Sequence, residues 1–224
     1  LTGNHPFPGR GSLAATRRLL RYVEEQVGPD DLVFFLLSGG ASALLAAPRN
    51  HIPVQEWLRL NRRLVSSGAP ISEINQVRSV LSRVKAGGLA RRIYPAALWT
   101  LAISDVIGSL PETIGSGPTA PVSTPLVSDA RAILVRCGLS SFLSLLDMPT
   151  AASPPGPLPP GKFMVIGDNG VALEAGRRVA MKNGFCAGIL TRRLQGPVDS
   201  AARRLARVMR WFQNSRAPRA WVFG

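Results

Sequence analysis

The feature that most constrains the fold is a run of six apolar residues that ends at a turn rich in serine and glycine. The run Leu32–Leu37 is followed at once by residues 38–42, Ser-Gly-Gly-Ala-Ser, and then by a second apolar stretch. Such a run is typical of a strand buried on both faces of a parallel sheet. The turn predicts a tight strand-to-helix connection. Two interpretations of this turn stay open: its backbone amides bind an anion, or it is an ordinary strand-to-helix turn without a ligand.

Strand and helix patterns alternate along the chain, which predicts an α/β fold built on a parallel sheet. Helical spacing predicts helices over residues 12–27, 54–66, 71–84, 129–137, 171–182 and 198–212. Apolar runs predict strands over residues 32–37, 98–104, 163–166, 185–190 and 221–223. Because residues 149–162 are rich in proline, we expect a linker there, between a first domain over 1–148 and a βαβαβ segment over 163–224.

Charge and cysteine usage narrow the function classes. The formal net charge is +14, but only three of the 27 basic residues are lysines, and the arginines are spread along the chain in pairs. This pattern favours a solvated basic surface over a nucleic-acid-binding site. No apolar run reaches the ~20 residues of a membrane span. Cys137 and Cys186 lack metal-ligand spacing, so we expect buried thiols in the cytoplasm.

A polar stripe on the predicted helix 71–84 points to an anion. Asn75, Arg78, Ser82 and Lys85 follow one another at spacings that place them on one helix face. No acidic residue of the stripe balances its two cations, whereas a solvated face normally mixes both signs. The stripe therefore predicts a surface that meets an anion, with plain surface as the alternative.

Two further polar features follow the second long predicted strand. Asp105 comes directly after that strand, where open α/β sheets bind ligands, although an aspartate there also caps turns. The long loop 106–124 contains the Gly-Ser-Gly-Pro-Thr stretch 115–119. The sequence contains no Walker loop, dinucleotide fingerprint, nucleophile elbow or zinc cluster. Cations, one carboxylate and glycine-lined turns suit phosphoryl transfer, which depends on positioning and charge neutralisation.

Six short motifs, in order along nearly the whole chain, carry a resemblance to a known family. They are GxHPxP at 3–8, SGGxSALL at 38–45, GAxIxExNxVRxxLSxxKxGxLA at 68–90, SDVxG at 104–108, SGPT at 116–119 and GDN at 167–169. By this combination the chain is identified as a member of the glycerate 2-kinase family. Its proteins carry a MOFRL domain, and its bacterial members are often labelled hydroxypyruvate reductase.

The resemblance implies an ATP- and Mg²⁺-dependent kinase that converts D-glycerate to 2-phosphoglycerate. It implies a Rossmann-like parallel sheet sandwiched by helices, then the start of a second α/β domain, with the active site between the domains. Arg78 and Lys85 would hold the glycerate carboxylate or the phosphoryl group. Asp105 would accept the hydroxyl proton or bind Mg²⁺. The residues expected to bind substrate or phosphate are Ser38, Gly39, Gly40, Ser42, Asn75, Ser116, Gly117, Thr119 and Asn169. A homodimer is the expected assembly, with no nucleic-acid or membrane partner.

The sequence departs from the family pattern at four positions. Ala41 and Ala86 replace glycines, while Gly9 and Ser109 replace acids. The family's glycine-rich N-terminal segment with its lysine, and its C-terminal motifs, lie outside these 224 residues. We therefore expect the chain alone to lack substantial kinase activity. The alternatives are an inactive truncated relative, a hydroxypyruvate reductase and a basic nucleic-acid-binding module.

Overall fold

The structure, a computed structural model, consists of two compact units. It describes residues 2–5, 7–120, 127–147, 157–194, 196–212 and 219–223. The first unit comprises Leu1–Ile103 and Ser109–Ile166, and the second comprises Ser104–Gly108 and Gly167–Gly224. The predicted linker lies partly outside the described residues, because 148–156 are not among them.

Both units contain helices and strands. The helices of the described residues are α1 (Arg10–Gln26), α2 (Ala41–Leu44), α3 (Val54–Ser66), α4 (Ile71–Val80), α5 (Ala90–Ile93), α6 (Val127–Arg136), α7 (Ser144–Asp147), α8 (Asn169–Lys182) and α9 (Val198–Phe212). The strands are β1 (Leu32–Leu37), β2 (Ala97–Ile103), β3 (Gly161–Gly167), β4 (Cys186–Thr191) and β5 (Arg219–Phe223). Short 3-10 turns form at Ile114–Ser116 and Ser140–Phe142.

The first unit is built on a three-stranded sheet in the order β1-β2-β3. Strands β1 and β2 run parallel, with Leu32 opposite Ala97 and Leu37 opposite Ala102. The strand predicted to open the second domain is β3, and it lies in this sheet beside β2. The α/β class with a parallel sheet is confirmed, while the division into domains at residues 149–162 stays a prediction.

One face of the sheet carries one core cluster of the first unit, while a larger cluster of buried apolar residues lies among α3, α4, α6 and α7. Helices α1 and α5 pack on the face that presents Val33 and Phe35, with Leu20 of α1 and Ile93 of α5 buried. On the other face Leu36 is 74% exposed. The structure thus differs from the expectation that β1 is buried on both faces, because side chains alternate along a strand and the helices cover one side.

Helix α4 is shorter than the predicted helix 71–84, because tertiary hydrogen bonds take over after Val80. The Arg83 amide donates to the Ala47 carbonyl at 2.8 Å, and the amides of Val84 and Lys85 donate to Ser82 Oγ. A serine hydroxyl that bonds nearby amides competes with helical hydrogen bonding. The prediction that Ser82 and Lys85 continue the stripe of α4 is therefore wrong.

The structure differs from the sequence-based expectation at the start of α1 and at Cys186. Ser12, with which the predicted helix 12–27 begins, lies inside α1 and is buried, and its Oγ accepts a hydrogen bond from the backbone amide of Asn4 at 2.8 Å. Gly9 occupies the cap position instead. Cys186 is exposed, whereas the sequence predicts a buried thiol.

The second unit pairs β4 and β5 in parallel. Helix α8 begins after Asp168, whose Oδ1 accepts a hydrogen bond from the Val171 amide at 2.9 Å. This is a conventional aspartate N-cap. No helix of the described residues is long and apolar enough to cross a membrane.

Candidate anion-binding site

Lys85 is the centre of the site, because it is a lysine that is only 3% exposed. It lies on the irregular segment after α4, and its Nζ donates to the Ser42 carbonyl at 2.9 Å and to Ser116 Oγ at 3.4 Å. Among the described residues, no carboxylate lies within ion-pair distance of this ammonium group. A buried cation without an acidic partner is costly unless a ligand supplies the negative charge.

The two predicted turns meet at this lysine. Ser42 Oγ of α2 and Ser116 Oγ of the SGPT loop are hydrogen-bonded at 2.9 Å. Backbone bonds hold the SGPT loop against the lysine segment, from the Ala86 amide to the Ser116 carbonyl at 3.0 Å and from the Gly87 amide to the Gly117 carbonyl at 2.7 Å. The structure thus brings together three residues that the sequence predicted separately.

Left-handed backbone shapes both turns. Gly40 has φ of 82° at the start of α2, and Gly115 and Gly117 have φ of 61° and 59°. Ser116 between them has φ of 65°, a conformation that costs a residue with a side chain roughly 1–2 kcal/mol. A Cβ on Gly115 would lie 3.0 Å from the Ala41 Cβ, so the residue that replaces the family's third glycine packs tightly on the SGPT loop.

Arg78 is the second buried cation, at 4% exposed. Its Nε donates to Asn61 Oδ1 at 2.8 Å, and Asn61 Nδ2 donates in turn to the Trp57 carbonyl at 2.8 Å. Among the described residues, its buried Nη2 and the buried Oδ1 of Asn75 have no hydrogen-bond partner. Polar atoms left unsatisfied in this way are expected to meet a ligand or water.

Burial sets the charge of the two cations. It lowers the pKa of Lys85 to about 7, with the nearby positive charge of Arg78 as the smaller cause. Burial also lowers the pKa of Arg78. Burial thus favours the neutral form of the Lys85 amine, and an anion that binds there would favour its charged form.

An apolar cavity of about 290 Å³ lies beside the turn that follows β1. Ser38, Gly39 and Ala41 line it together with apolar side chains of α1 and β1. Ser38 and Gly39 are exposed. The turn thus offers open polar groups next to an apolar surface.

The chain matches the family described as "Domain of unknown function (DUF4147)" over residues 1–145. The chain belongs to this family. It is 40% identical over 202 residues to a glycerate kinase of Macaca fascicularis, across 88% of this chain and 50% of that protein. It is 38% identical over 218 residues to a putative hydroxypyruvate reductase of Agrobacterium vitis, across 93% of this chain and 47% of the relative.

A solved structure agrees with these sequence matches. The crystal structure of glycerate kinase from Thermotoga maritima superposes with a TM-score of 0.81 and 34% identity, over 99% of this chain and 54% of that one. The predicted membership of the glycerate 2-kinase family is confirmed. The chain spans about half the length of the curated relatives it matches.

Three predicted site residues of this DUF4147 family member do not hydrogen-bond to Lys85 and have different partners or exposure. Thr119 is buried, and its Oγ1 accepts a hydrogen bond from Thr100 Oγ1 at 2.9 Å within the first unit. Asp105 and Asn169 belong to the second unit. Asp105 is exposed, and Asn169 Nδ2 donates to the Arg192 carbonyl at 3.1 Å. The roles of all three residues stay predictions.

Sequence reasoning missed Asn61, which orients the guanidinium of Arg78. A signal was available, because Asn61 lies among the apolar residues of α3, at positions where Trp57 and Leu64 are fully buried. A polar residue on the apolar face of a helix needs a buried partner. The identity of that partner depends on the packing of α3 against α4, which no local pattern specifies.

Proposed function

We propose that the protein functions as a glycerate 2-kinase, which transfers a phosphoryl group from ATP to D-glycerate to give 2-phosphoglycerate. The observation that carries the proposal is the buried Lys85, which has no acidic partner within the described part of the chain and lies where the turn at 38–42 meets the SGPT loop. Phosphoryl transfer requires fixed positive charge around the phosphoryl oxygens, and a desolvated lysine supplies it strongly.

Each group has a role in this proposal. Lys85 and the turn at 38–42 contact phosphate, with Ser42 and Ser116 fixing the position of the ammonium group. Arg78 binds the glycerate carboxylate through the Nη2 that Asn61 leaves free. The apolar cavity beside Ser38 and Gly39 receives the base of the nucleotide.

Asp105 is the proposed ligand of Mg²⁺. No group of three or more His, Cys, Asp or Glu side chains that could hold a metal occurs among the described residues. Mg²⁺ bound to a nucleotide commonly needs only one or two carboxylates, since phosphate oxygens and water complete its shell. The exposed carboxylate of Asp105 fits that requirement. The metal, when bound, would neutralise charge on the transferred phosphoryl group.

The remaining predictions form part of the same proposal. They are a first domain over residues 1–148, a second over 163–224, a homodimer, a cytoplasmic location and no nucleic-acid partner. Size-exclusion chromatography with light scattering tests the assembly, and limited proteolysis within residues 149–162 tests the domain division.

A coupled assay for ATP-dependent phosphorylation of D-glycerate tests the activity. It is applied to this chain and to any longer polypeptide that the gene encodes. We expect product only with ATP, Mg²⁺ and D-glycerate together, and a loss of turnover in Arg78→Ala and in Asp105→Asn. NADH oxidation with hydroxypyruvate, without phosphorylation of D-glycerate by either polypeptide, would overturn the proposal in favour of a reductase.

A further inference from the structure

A second pocket in the first unit is lined by arginines that the proposed kinase reaction does not use. Its volume is about 510 Å³, and it lies between α1 and residues 46–54. The arginines that line it are Arg17, Arg21, Arg49 and Arg83. Glu24 and Glu25 line it as well, so that four positive and two negative side chains leave a net positive pocket.

Two of these arginines are held in place by the fold. Arg49 Nε donates to the Val80 carbonyl at 2.6 Å, and Arg83 Nη1 donates to Asn50 Oδ1 at 2.8 Å. An isolated antiparallel bridge between Pro48 and Ser82 ties the two chain segments together. A guanidinium has five N–H donors, so each of the two arginines keeps donors for a ligand.

The positive charge in this pocket is only partly balanced. Glu24 forms an ion pair with Arg92, and none of the four pocket arginines forms an ion pair within the described residues. Burial lowers the pKa of Arg49 and of Arg83, and the charge of Arg92 lowers the pKa of Arg83 further, while the charge of Glu24 opposes this shift. Unpaired arginines elsewhere on a basic surface are unremarkable. Four that line one cavity, two of them partly desolvated and fixed, form a site that an anion would complete.

We propose that this pocket binds a small organic molecule with two or more negative charges, a polycarboxylate or an organic phosphate. The volume lies within the range of small-molecule sites. Planar guanidinium groups bind carboxylate and phosphate oxygens in pairs, and this favours ligands that present several such oxygens. The inference does not depend on the proposed kinase function, because Lys85 and Arg78 do not line this pocket.

Isothermal titration calorimetry with citrate and with inorganic pyrophosphate, at low salt, tests the proposal. The Arg17→Gln/Arg21→Gln double variant changes two exposed positions of α1. We expect it to weaken binding of the tighter ligand at least tenfold. The matched control, Arg204→Gln/Arg207→Gln on α9, removes the same charge from exposed positions of the second unit and is expected to bind as the unaltered chain does. Arg49→Gln serves as an independent second variant, with its fold checked by circular dichroism.

The two ligands separate the two chemistries, since citrate reports on a polycarboxylate site and pyrophosphate on a phosphate site. If the pocket binds citrate or pyrophosphate, we expect the Lys85→Met variant to bind the same ligand with unchanged affinity. Failure of both ligands to bind would overturn the inference, as would equal weakening in the α9 control or loss of binding in Lys85→Met. Tighter binding of short duplex DNA, weakened by the same α1 substitutions, would overturn it in favour of a nucleic-acid surface.

Discussion

Two strand-to-helix turns with similar sequence signals have different chemistry in this protein. Residues 38–42 follow β1, and residues 167–169 connect the last residue of β3 to the first residue of α8. Both turns combine glycine with short polar side chains, and the sequence predicts a ligand contact at each. In the second turn the polar groups bond within their own unit, since Asp168 caps α8 and Asn169 donates to the Arg192 carbonyl. In the first turn Gly40 has no side chain to cap α2, and a buried lysine donates to the Ser42 carbonyl.

The comparison shows that two glycine-rich turns with similar sequences have different hydrogen-bond partners. What distinguishes residues 38–42 is a cation brought from a distant part of the chain, together with the SGPT loop that shares its hydrogen bonds. In the turn at 167–169 the Asp168 carboxylate already accepts a hydrogen bond from the first turn of α8, as a helix N-cap does. Substitutions at Lys85, Ser116 and Asp168 test this distinction, and they follow in order of expected effect.

Lys85→Met should have the largest effect, on nucleotide binding. Loss of the ammonium group removes the main positive charge at the first turn, and we expect ATP affinity to fall about 100-fold or more, equivalent to roughly 3 kcal/mol. Isothermal titration calorimetry with ATP and Mg²⁺ measures the change. Lys182→Met, at an exposed position near the end of α8, is the control and should bind ATP as the unaltered chain does. Unchanged affinity in Lys85→Met would remove the distinction between the turns.

The same lysine should make stability depend on pH. Its pKa is about 7 in the folded chain against an ordinary value of 10.5, so the unfolded chain binds more protons between those values. The contribution of Lys85 to the free energy of unfolding therefore rises with pH across that window and does not change below it. Between pH 7 and pH 9 we expect this lysine to add about 2 kcal/mol to the free energy of unfolding.

Urea denaturation of the unaltered chain and of Lys85→Met at both pH values isolates this contribution, because other titrating groups cancel in the difference. We expect the unaltered chain to gain the more stability of the two. Equal gains would mean that Lys85 is solvated and that the first turn resembles the second.

Ser116→Gly and Ser116→Ala test the backbone strain at Ser116, in the SGPT loop that contacts the first turn. Both remove the hydroxyl that bonds Ser42 and Lys85, but only glycine relieves the left-handed φ of 65°. We therefore expect the glycine variant to be the more stable of the two by about 1 kcal/mol, as measured by urea denaturation. A more stable alanine variant would show that the backbone there is not left-handed.

Asp168→Ala should have the smallest effect, confined to the second turn. It removes the cap of α8, and the expected loss is about 1 kcal/mol or less in the free energy of unfolding. Asp168→Asn keeps an acceptor and should lose less. ATP affinity should stay unchanged in both, and a loss of affinity would contradict the assignment of this turn as a satisfied cap.

The sequence alone determined the local elements, because hydrophobic periodicity is a property of neighbouring residues. Strand Leu32–Leu37 and helices Val54–Ser66 and Val198–Phe212 have the bounds that their patterns predict. The motif order likewise identified the glycerate 2-kinase family, which the comparisons confirmed. Arg78 and Lys85 were predicted to meet an anion because the stripe of residues 75, 78, 82 and 85 contains no acid.

Only the tertiary structure decided the burial and the hydrogen-bond partners of these cations. It ended α4 at Val80 through hydrogen bonds with residues more than thirty positions away in sequence, and it moved Lys85 off the helix stripe and into the interior. It also supplied Asn61 as the partner of Arg78 and joined Ser42 to Ser116. Burial and hydrogen bonding between distant segments depend on how whole elements pack. The spacing of residues along the sequence therefore predicts which charged side chains lie near one another, while the packing of whole elements decides their burial and their hydrogen-bond partners.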